Sequence, residues 1–359
     1  MIIHHYYPHK TNIGDLFVVD GIRKLIRERL PGSEFVDLPV NESPKAKCFG
    51  LLGRNLDYSN SEADLIVIGG SNLYECRRNG EWGVTTDLSS IKKISKPIVI
   101  IGLGSGSSFR DKVRSCSDRS RAEICLLNEI ATGSSVRDLS TANFLRSLGL
   151  RNYTVTGCPS TFLFDNSFVF RDSDIVAISF PPARLKKYRF MYFRLRSAIK
   201  KYIKYCKQAG LCPVLSCHDP RDIEFAKAVQ GSGVDLFYSE KTAGYYALYG
   251  KAKFVVGFRL HAAIIGLSLG VPFIPTYFDM RGISFCETYN STKWAIDATK
   301  FNLYRRLVES TEDILGREEA PFVNFLRSKQ MYKSVMQSFI KTCVDKLCRH
   351  EYGNISTIY

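Results

Sequence analysis

The sequence predicts an α/β protein built as two doubly wound domains with a cleft between them. Three observations carry that reading. Apolar runs of strand length, such as Leu65–Ile68 and Phe254–Val256, alternate with longer stretches of helical spacing, the pattern of parallel strands joined by crossover helices. The alternation begins twice, at the N-terminus and again near Ile175. The glycines, arginines and acids of chemical interest fall just past apolar runs, at strand carboxyl ends, where open parallel sheets bind ligands.

Ile2–Tyr7 reads as the first strand. A helix from about 16 to 30 follows, with apolar residues on one face, and Pro31-Gly32 ends it. Asn12, Gly14 and Asp15 therefore occupy a strand-to-helix turn. Glycine there admits close backbone approach to a ligand, and Asn or Asp either caps the helix or contacts substrate. The strand 64–68 runs into Gly69-Gly70-Ser71, and the strand 98–101 into Gly102-Leu103-Gly104-Ser105-Gly106. Such turns can cradle a phosphate or a sugar, although the spacing fits neither a P-loop nor a dinucleotide fingerprint. Residues 134–137 form a short strand with Arg137-Asp138 at its end, and 153–156 the last strand of this half. The expected boundaries are a first domain over 1–165 and a link over 166–173. A second domain spans 174–320, and a helix with tail over 321–359 can cross back onto the first.

In the second half, strands are expected over 175–180, 214–217, 234–238, 254–256 and 273–276. His218 and Asp219 follow the second of these. They either line the cleft or, for Asp219, cap the next helix. The stretch 257–281 is the richest. A buried strand ends at Gly257, Arg259 and His261 stand at the start of an apolar helix, Gly270 stops that helix, and Pro272 follows, as helix-end chemistry requires. A helix start offers free N–H groups and partial positive charge, and Arg259 adds a planar donor fork for carboxylate or phosphate. A small dianion is the natural guest. The competing reading pairs Arg259 with a structural carboxylate and makes His261 a satisfied core histidine.

The 359 residues, 45% hydrophobic and 12% aromatic, exclude a disordered chain and suffice for two cores. No apolar run is long enough to cross a membrane, and the N-terminal segment lacks signal-peptide features, so a cytoplasmic protein is expected. Eleven cysteines include no Cys-x-x-Cys pair. Reduced, mostly buried thiols and no metal site are expected. The net charge of +15 calls for an anionic partner. Ten Lys or Arg and no acid lie between Arg184 and Lys207, with apolar residues at three- to four-residue spacing. This is an amphipathic helix for an anionic membrane surface, or a sheet-covering helix with a solvated basic face. A nucleic-acid module would leave the strand-end residues unexplained.

The motifs Asn12-x-Gly14-Asp15, Gly69-Gly70, Gly102-x-Gly104, Val136-Arg137-Asp138, Arg259-Leu260-His261-Ala262, Gly270-x-Pro272 and Phe278-Asp279-x-Arg281 stand in this order from about residue 10 to 282. Together they resemble the polysaccharide pyruvyl transferase family. The glycine turn reads Gly-Gly-Ser rather than three glycines, and Phe278 and Arg281 replace an expected Tyr and Lys. The resemblance implies a glycosyltransferase B-like fold. It also implies transfer of the enolpyruvyl carbons of phosphoenolpyruvate, as co-substrate and without a further cofactor, onto two hydroxyls of a sugar. The donor is expected on Arg137, Arg259 and Leu260 with Gly102 and Gly104. His261, Asp15 and Asp138 are the acid–base candidates, and Asn12, Gly14, Gly70, Ser71 and His218 the acceptor side. The acceptor is a sugar or a lipid-linked oligosaccharide, met at the inner membrane face. The alternative is a glycosyltransferase or sugar-nucleotide epimerase of the same architecture, with Glu287 available for a donor ribose.

Overall fold

Two parallel six-stranded sheets organise the chain, one in each of two compact units. The computed structural model describes all residues except 9–11, 41, 44–47, 77–78, 107–115, 181–187, 232 and 354–359. Unit 1 comprises Met1–His9, Val18–Phe162 and Gln330–Tyr359; unit 2 comprises Lys10–Phe17 and Leu163–Lys329.

The first half of the chain runs β1 (Ile2–Tyr7), α1 (Ile13–Arg27), β2 (Glu34–Pro39), β3 (Glu42–Ser43), β4 (Cys48–Phe49), α2 (Gly53–Glu62), β5 (Leu65–Gly69), α3 (Leu88–Lys92), β6 (Ile98–Leu103), α4 (Asp118–Ile130), β7 (Gly133–Val136), α5 (Leu139–Ser147) and β8 (Thr154–Val155). The sheet order is β2-β1-β5-β6-β7-β8, so the winding reverses between β1 and β5, a flavodoxin-like arrangement. β5 and β6 are buried along their whole length, which is why they read as unbroken apolar runs. β2 was not expected. It is an edge strand, half exposed, and Glu34 and Asp37 interrupt its apolar residues. Among the described residues, Ile340, Cys343, Val344 and Leu347 line one small void together with Leu65, Val67, Val99 and Ile101. The end of the C-terminal helix thus closes a face of this sheet.

The second half runs β9 (Ile175–Ser179), α6 (Arg189–Gln208), β10 (Cys212–Cys217), α7 (Asp222–Val229), β11 (Asp235–Tyr238), α8 (Thr242–Lys251), β12 (Phe254–Gly257), α9 (Leu260–Leu269), β13 (Phe273–Tyr277), α10 (Met280–Thr288), β14 (Ile296–Asp297), α11 (Leu303–Leu315) and α12 (Ala320–Gly353). The order β11-β10-β9-β12-β13-β14 has the dinucleotide-binding form, reversing between β9 and β12. α9 is buried from Ala262 to Leu269, so its apolar residues go all the way round instead of forming a stripe. Gly270 caps it at φ 66°, and Lys329 Nζ donates to the carbonyls of Leu267 and Ser268 at 3.1 and 3.0 Å. Arg171 donates to Leu269 and Gly270, each at 3.2 Å. Two cations thus complement the negative end of α9.

The thiol expectation fails at one pair. Cys76 and Cys116 form a disulfide across 40 residues. An antiparallel bridge between Cys76 and Trp82 and a 2.9 Å bond from Ser117 N to Gly80 O bring the two backbones together, a proximity that sequence spacing does not reveal. Among the described residues no group of three or more His, Cys, Asp or Glu is placed to hold a metal, and no helix is long and apolar enough to cross a membrane.

Candidate active site

In unit 1 the glycine turns and Arg137 form one hydrogen-bonded assembly. β7 ends at Val136, which places Arg137 at a strand end, but its side chain turns inward and the residue is 4% exposed. Its Nε donates to Asp138 Oδ2 at 3.2 Å and its Nη2 to Asn72 Oδ1. The guanidinium lies against Gly104, where a Cβ would sit 2.5 Å from Nε. Asp138 is the N-cap of α5, accepting from Thr141 N at 2.8 Å and Thr141 Oγ1 at 2.7 Å. Thr141 Oγ1 also accepts from Ser105 N at 2.7 Å. Gly104 N donates to Ser71 O, and Tyr74 N donates to Gly104 O. The turns after β5 and β6 are thereby tied to the cap of α5.

Two expectations change here. Gly102, expected to meet the donor, adopts φ 59° at the irregular step of the β6–β7 pairing, and a Cβ on it would lie 2.5 Å from the ring of Pro159. It serves packing. Asp138 is engaged as cap and ion-pair partner, which suits positioning better than proton transfer. Gly70, at φ 113°, supplies the turn that brings Ser71 and Asn72 round.

Unit 2 gathers the other candidates at its switch point. β9 ends at Ser179, whose hydroxyl accepts from Arg259 N at 3.0 Å and donates to Val256 O at 3.2 Å. Arg259 is the extended N-cap of α9. Its guanidinium pairs through Nη2 with Asp222 Oδ1, and Asp222 is fully buried in the first turn of α7. The carboxylate reading of Arg259 is therefore correct in part, and Asp222 is a site residue that sequence reasoning missed. No pattern in the sequence announces it, because its partner lies 37 residues away on another strand end. The Arg259 side chain keeps 16% exposure, and its Nε makes no hydrogen bond within the protein. Burial pushes the Asp222 carboxyl up and Arg259 opposes that shift.

The turn after β1 belongs to this assembly, since Lys10–Phe17 groups with unit 2. Ile13 N donates to His218 O at 3.0 Å. Asn12 Nδ2 reaches Asp15 Oδ2 at 3.3 Å, and Gly14 N reaches Asn12 Oδ1 at 3.4 Å. A Cβ on Gly14 would lie 2.6 Å from His261 Nδ1. The missing side chain is what lets the first turn of α1 lie against the imidazole. Leu260 and His261, both half-buried, form the first turn of α9, so two helix starts converge on one histidine.

His218 is a correction. Its ring is not presented to an acceptor: the residue is 1% exposed, with the rings of Phe17 and Tyr245 at 5.7 and 5.1 Å and Tyr249 Oη 2.6 Å from Nε2. Burial, then the neighbouring Arg259 charge, hold its pKa well below the usual histidine value. The ring is a neutral core element. Asp219 accepts from Arg221 N at 3.0 Å and Arg221 Nε at 2.7 Å, shaping the turn into α7. Asp279 caps α10 and pairs with Arg281. Glu287 is exposed on α10.

The family model described as polysaccharide pyruvyl transferase matches residues 12–279, a span that holds nearly every residue described above. No curated protein matches the chain. Among solved structures, a UDP-N-acetylglucosamine 2-epimerase from Rickettsia bellii is 11% identical with a TM-score of 0.57, covering 97% of both chains. An S. aureus MnaA–UDP co-structure is 13% identical at TM-score 0.51, covering 90% of each. A UDP-GlcNAc 2-epimerase from Methanocaldococcus jannaschii, in complex with UDP-GlcNAc and UDP, is 12% identical at TM-score 0.51, covering 93% of this chain and 99% of that one. At such identities the likeness shows the fold, which is of the glycosyltransferase B type.

Proposed function

The chain belongs to the polysaccharide pyruvyl transferase family, and from that premise we propose that it forms a cyclic pyruvate ketal on a sugar with phosphoenolpyruvate as donor. The observation that carries the reading is Arg259. It stands at a Rossmann switch point as the N-cap of α9, its side chain anchored by Asp222 yet 16% exposed, so part of the guanidinium stays open to a ligand. A three-carbon acid with a carboxylate and a phosphate carries about three negative charges. An arginine fork and a helix start match that charge without titrating near neutral pH.

In the chemistry, one sugar hydroxyl adds to the enol carbon as the methylene carbon takes a proton. A second hydroxyl then displaces phosphate and closes the ring. His261 is the group suited to move those protons, a role worth roughly 10²–10⁴-fold in rate. Gly14 lets the start of α1 pack against its Nδ1, and Asp15, bonded to Asn12 in the same turn, is the candidate for orienting acceptor hydroxyls. Asp222 positions Arg259 and keeps a charged partner beside it. Within unit 1, Arg137 and Asp138 hold the turn of Gly70 and Ser71 in place. The acceptor we favour is a sugar of a cell-surface polysaccharide or its lipid-linked precursor.

The test incubates enzyme with phosphoenolpyruvate and candidate sugars or lipid-linked oligosaccharides. Phosphate release and the mass of one added ketal are then measured. Both are expected, and both should vanish in Arg259→Ala and His261→Ala. Saturation-transfer binding of UDP-sugars with none of phosphoenolpyruvate would instead establish the glycosyltransferase or epimerase reading.

A further inference from the structure

α6 carries seven Lys or Arg and no acid, and the fold completes its outer face with a residue from elsewhere. Phe190 and Phe193 on its first turns are 73% and 56% exposed. Phe301, from the turn between β14 and α11, is 82% exposed and stands 6.4 Å from Phe190 between ring centroids. Water-facing phenylalanines in a cluster are costly unless something covers them. This cluster is built: Arg194 lies 4.6 Å over the Phe301 ring and donates through Nη2 to Thr299 O, so the ring is held outward.

The charges lie beside the rings. Lys200, Lys201 and Lys204 are exposed on the later turns of the same helix, about 10 Å and more along its axis from Phe193 at 1.5 Å per residue. The opposite face is occupied, with Leu195, Ile199, Tyr202 and Cys206 fully buried. Acids on the neighbouring α11 do not cancel the patch. Glu309 is paired with Arg305 and Arg306, and Glu312 engages Tyr205 of α6, so one acid faces three lysines there and none of these acids touches the phenylalanines.

We propose that this face, Phe190, Phe193 and Phe301 with the lysines of α6, docks the protein on an anionic lipid surface. The helix lies flat, the rings enter the headgroup–acyl boundary, and the lysines meet lipid charge. Nucleic acid fits less well: Phe190 and Phe301 meet at 63°, and Arg194 already covers one face of Phe301, so the rings make no stacking platform.

Flotation with phosphatidylcholine vesicles, with and without about a third phosphatidylglycerol, tests this. The full chain should bind the anionic vesicles, at least about tenfold more strongly than neutral ones. Phe190→Ser/Phe193→Ser/Phe301→Ser should lower that binding at least about tenfold with an unchanged thermal midpoint. Lys200→Glu/Lys204→Glu should do the same, which guards against a variant that fails to fold. Absence of vesicle binding by the wild type, unchanged binding by both variants, or capture of single-stranded RNA in preference to vesicles overturns the proposal. The assay contains neither donor nor acceptor, so it stands apart from the pyruvyl-transfer reading.

Discussion

Two arginines stand at equivalent places, each just past a strand of a doubly wound sheet, and they are used differently. Arg137 is enclosed, with Asp138, Asn72 and Gly104 around its guanidinium. Arg259 is anchored at one end by Asp222 and keeps an unbonded nitrogen and some exposure. The difference teaches that a cation at a strand end is not a ligand group by position alone. What its guanidinium has left after its own neighbours decides. Unit 1 uses the cation to tie two turns to a helix cap, and unit 2 leaves part of its guanidinium exposed.

The largest effect should come from breaking the enclosed pair. Arg137→Met leaves Asp138 buried without its cation and should cost about 3–5 kcal/mol in urea unfolding. A loss under about 1 kcal/mol, the range of exposed pairs, would mean that Arg137 is a ligand residue after all.

Arg259→Lys keeps a charge for Asp222 but removes the fork. Affinity for phosphoenolpyruvate by calorimetry should fall about 10²-fold while stability changes little. Equal affinities for the two proteins would end the assignment of the donor to Arg259.

The two glycines sharpen the same contrast. Gly104→Ala drives a methyl into the Arg137 guanidinium and should cost about 1–3 kcal/mol of stability. Gly14→Ala meets the His261 ring instead and should lower turnover more than stability. Activity and unfolding measured together on both variants check this.

The smallest effect is electrostatic. The folded pKa of His218 lies below the unfolded value of 6.5, so below that pH the unfolded chain binds the extra proton. Stability should therefore fall as pH drops from about 6.5, by at most about 1.4 kcal/mol per pH unit for one group. His218→Gln retains a partner for Tyr249 and should remove that share of the slope. His4, also shifted downward by burial, keeps its own. Unfolding midpoints between neutral and mildly acidic pH would show whether the slope changes.

The interior strands were legible because burial on both faces imposes apolar runs, as at Ile66–Ile68 and Val255–Val256. The edge strand β2 was not, since Glu34 and Asp37 face water and carry charge. Arg259 and His261 were legible as a strand-end cation and a helix-start imidazole. Asp222, Ser179 and the fit of Gly14 against His261 were not, because each depends on a partner contributed by another crossover.

By itself the amino-acid order determined the alternation of strands and helices, the two windings, the glycine and cap positions and the basic stripe. These follow from local periodicity and turn chemistry, which act over a few residues. Tertiary structure alone decided which charges neutralise each other, that His218 is a packed neutral ring, that Cys76 meets Cys116, and that Phe301 joins Phe190. Those outcomes depend on distances between segments tens of residues apart, and only the closed sheets set them.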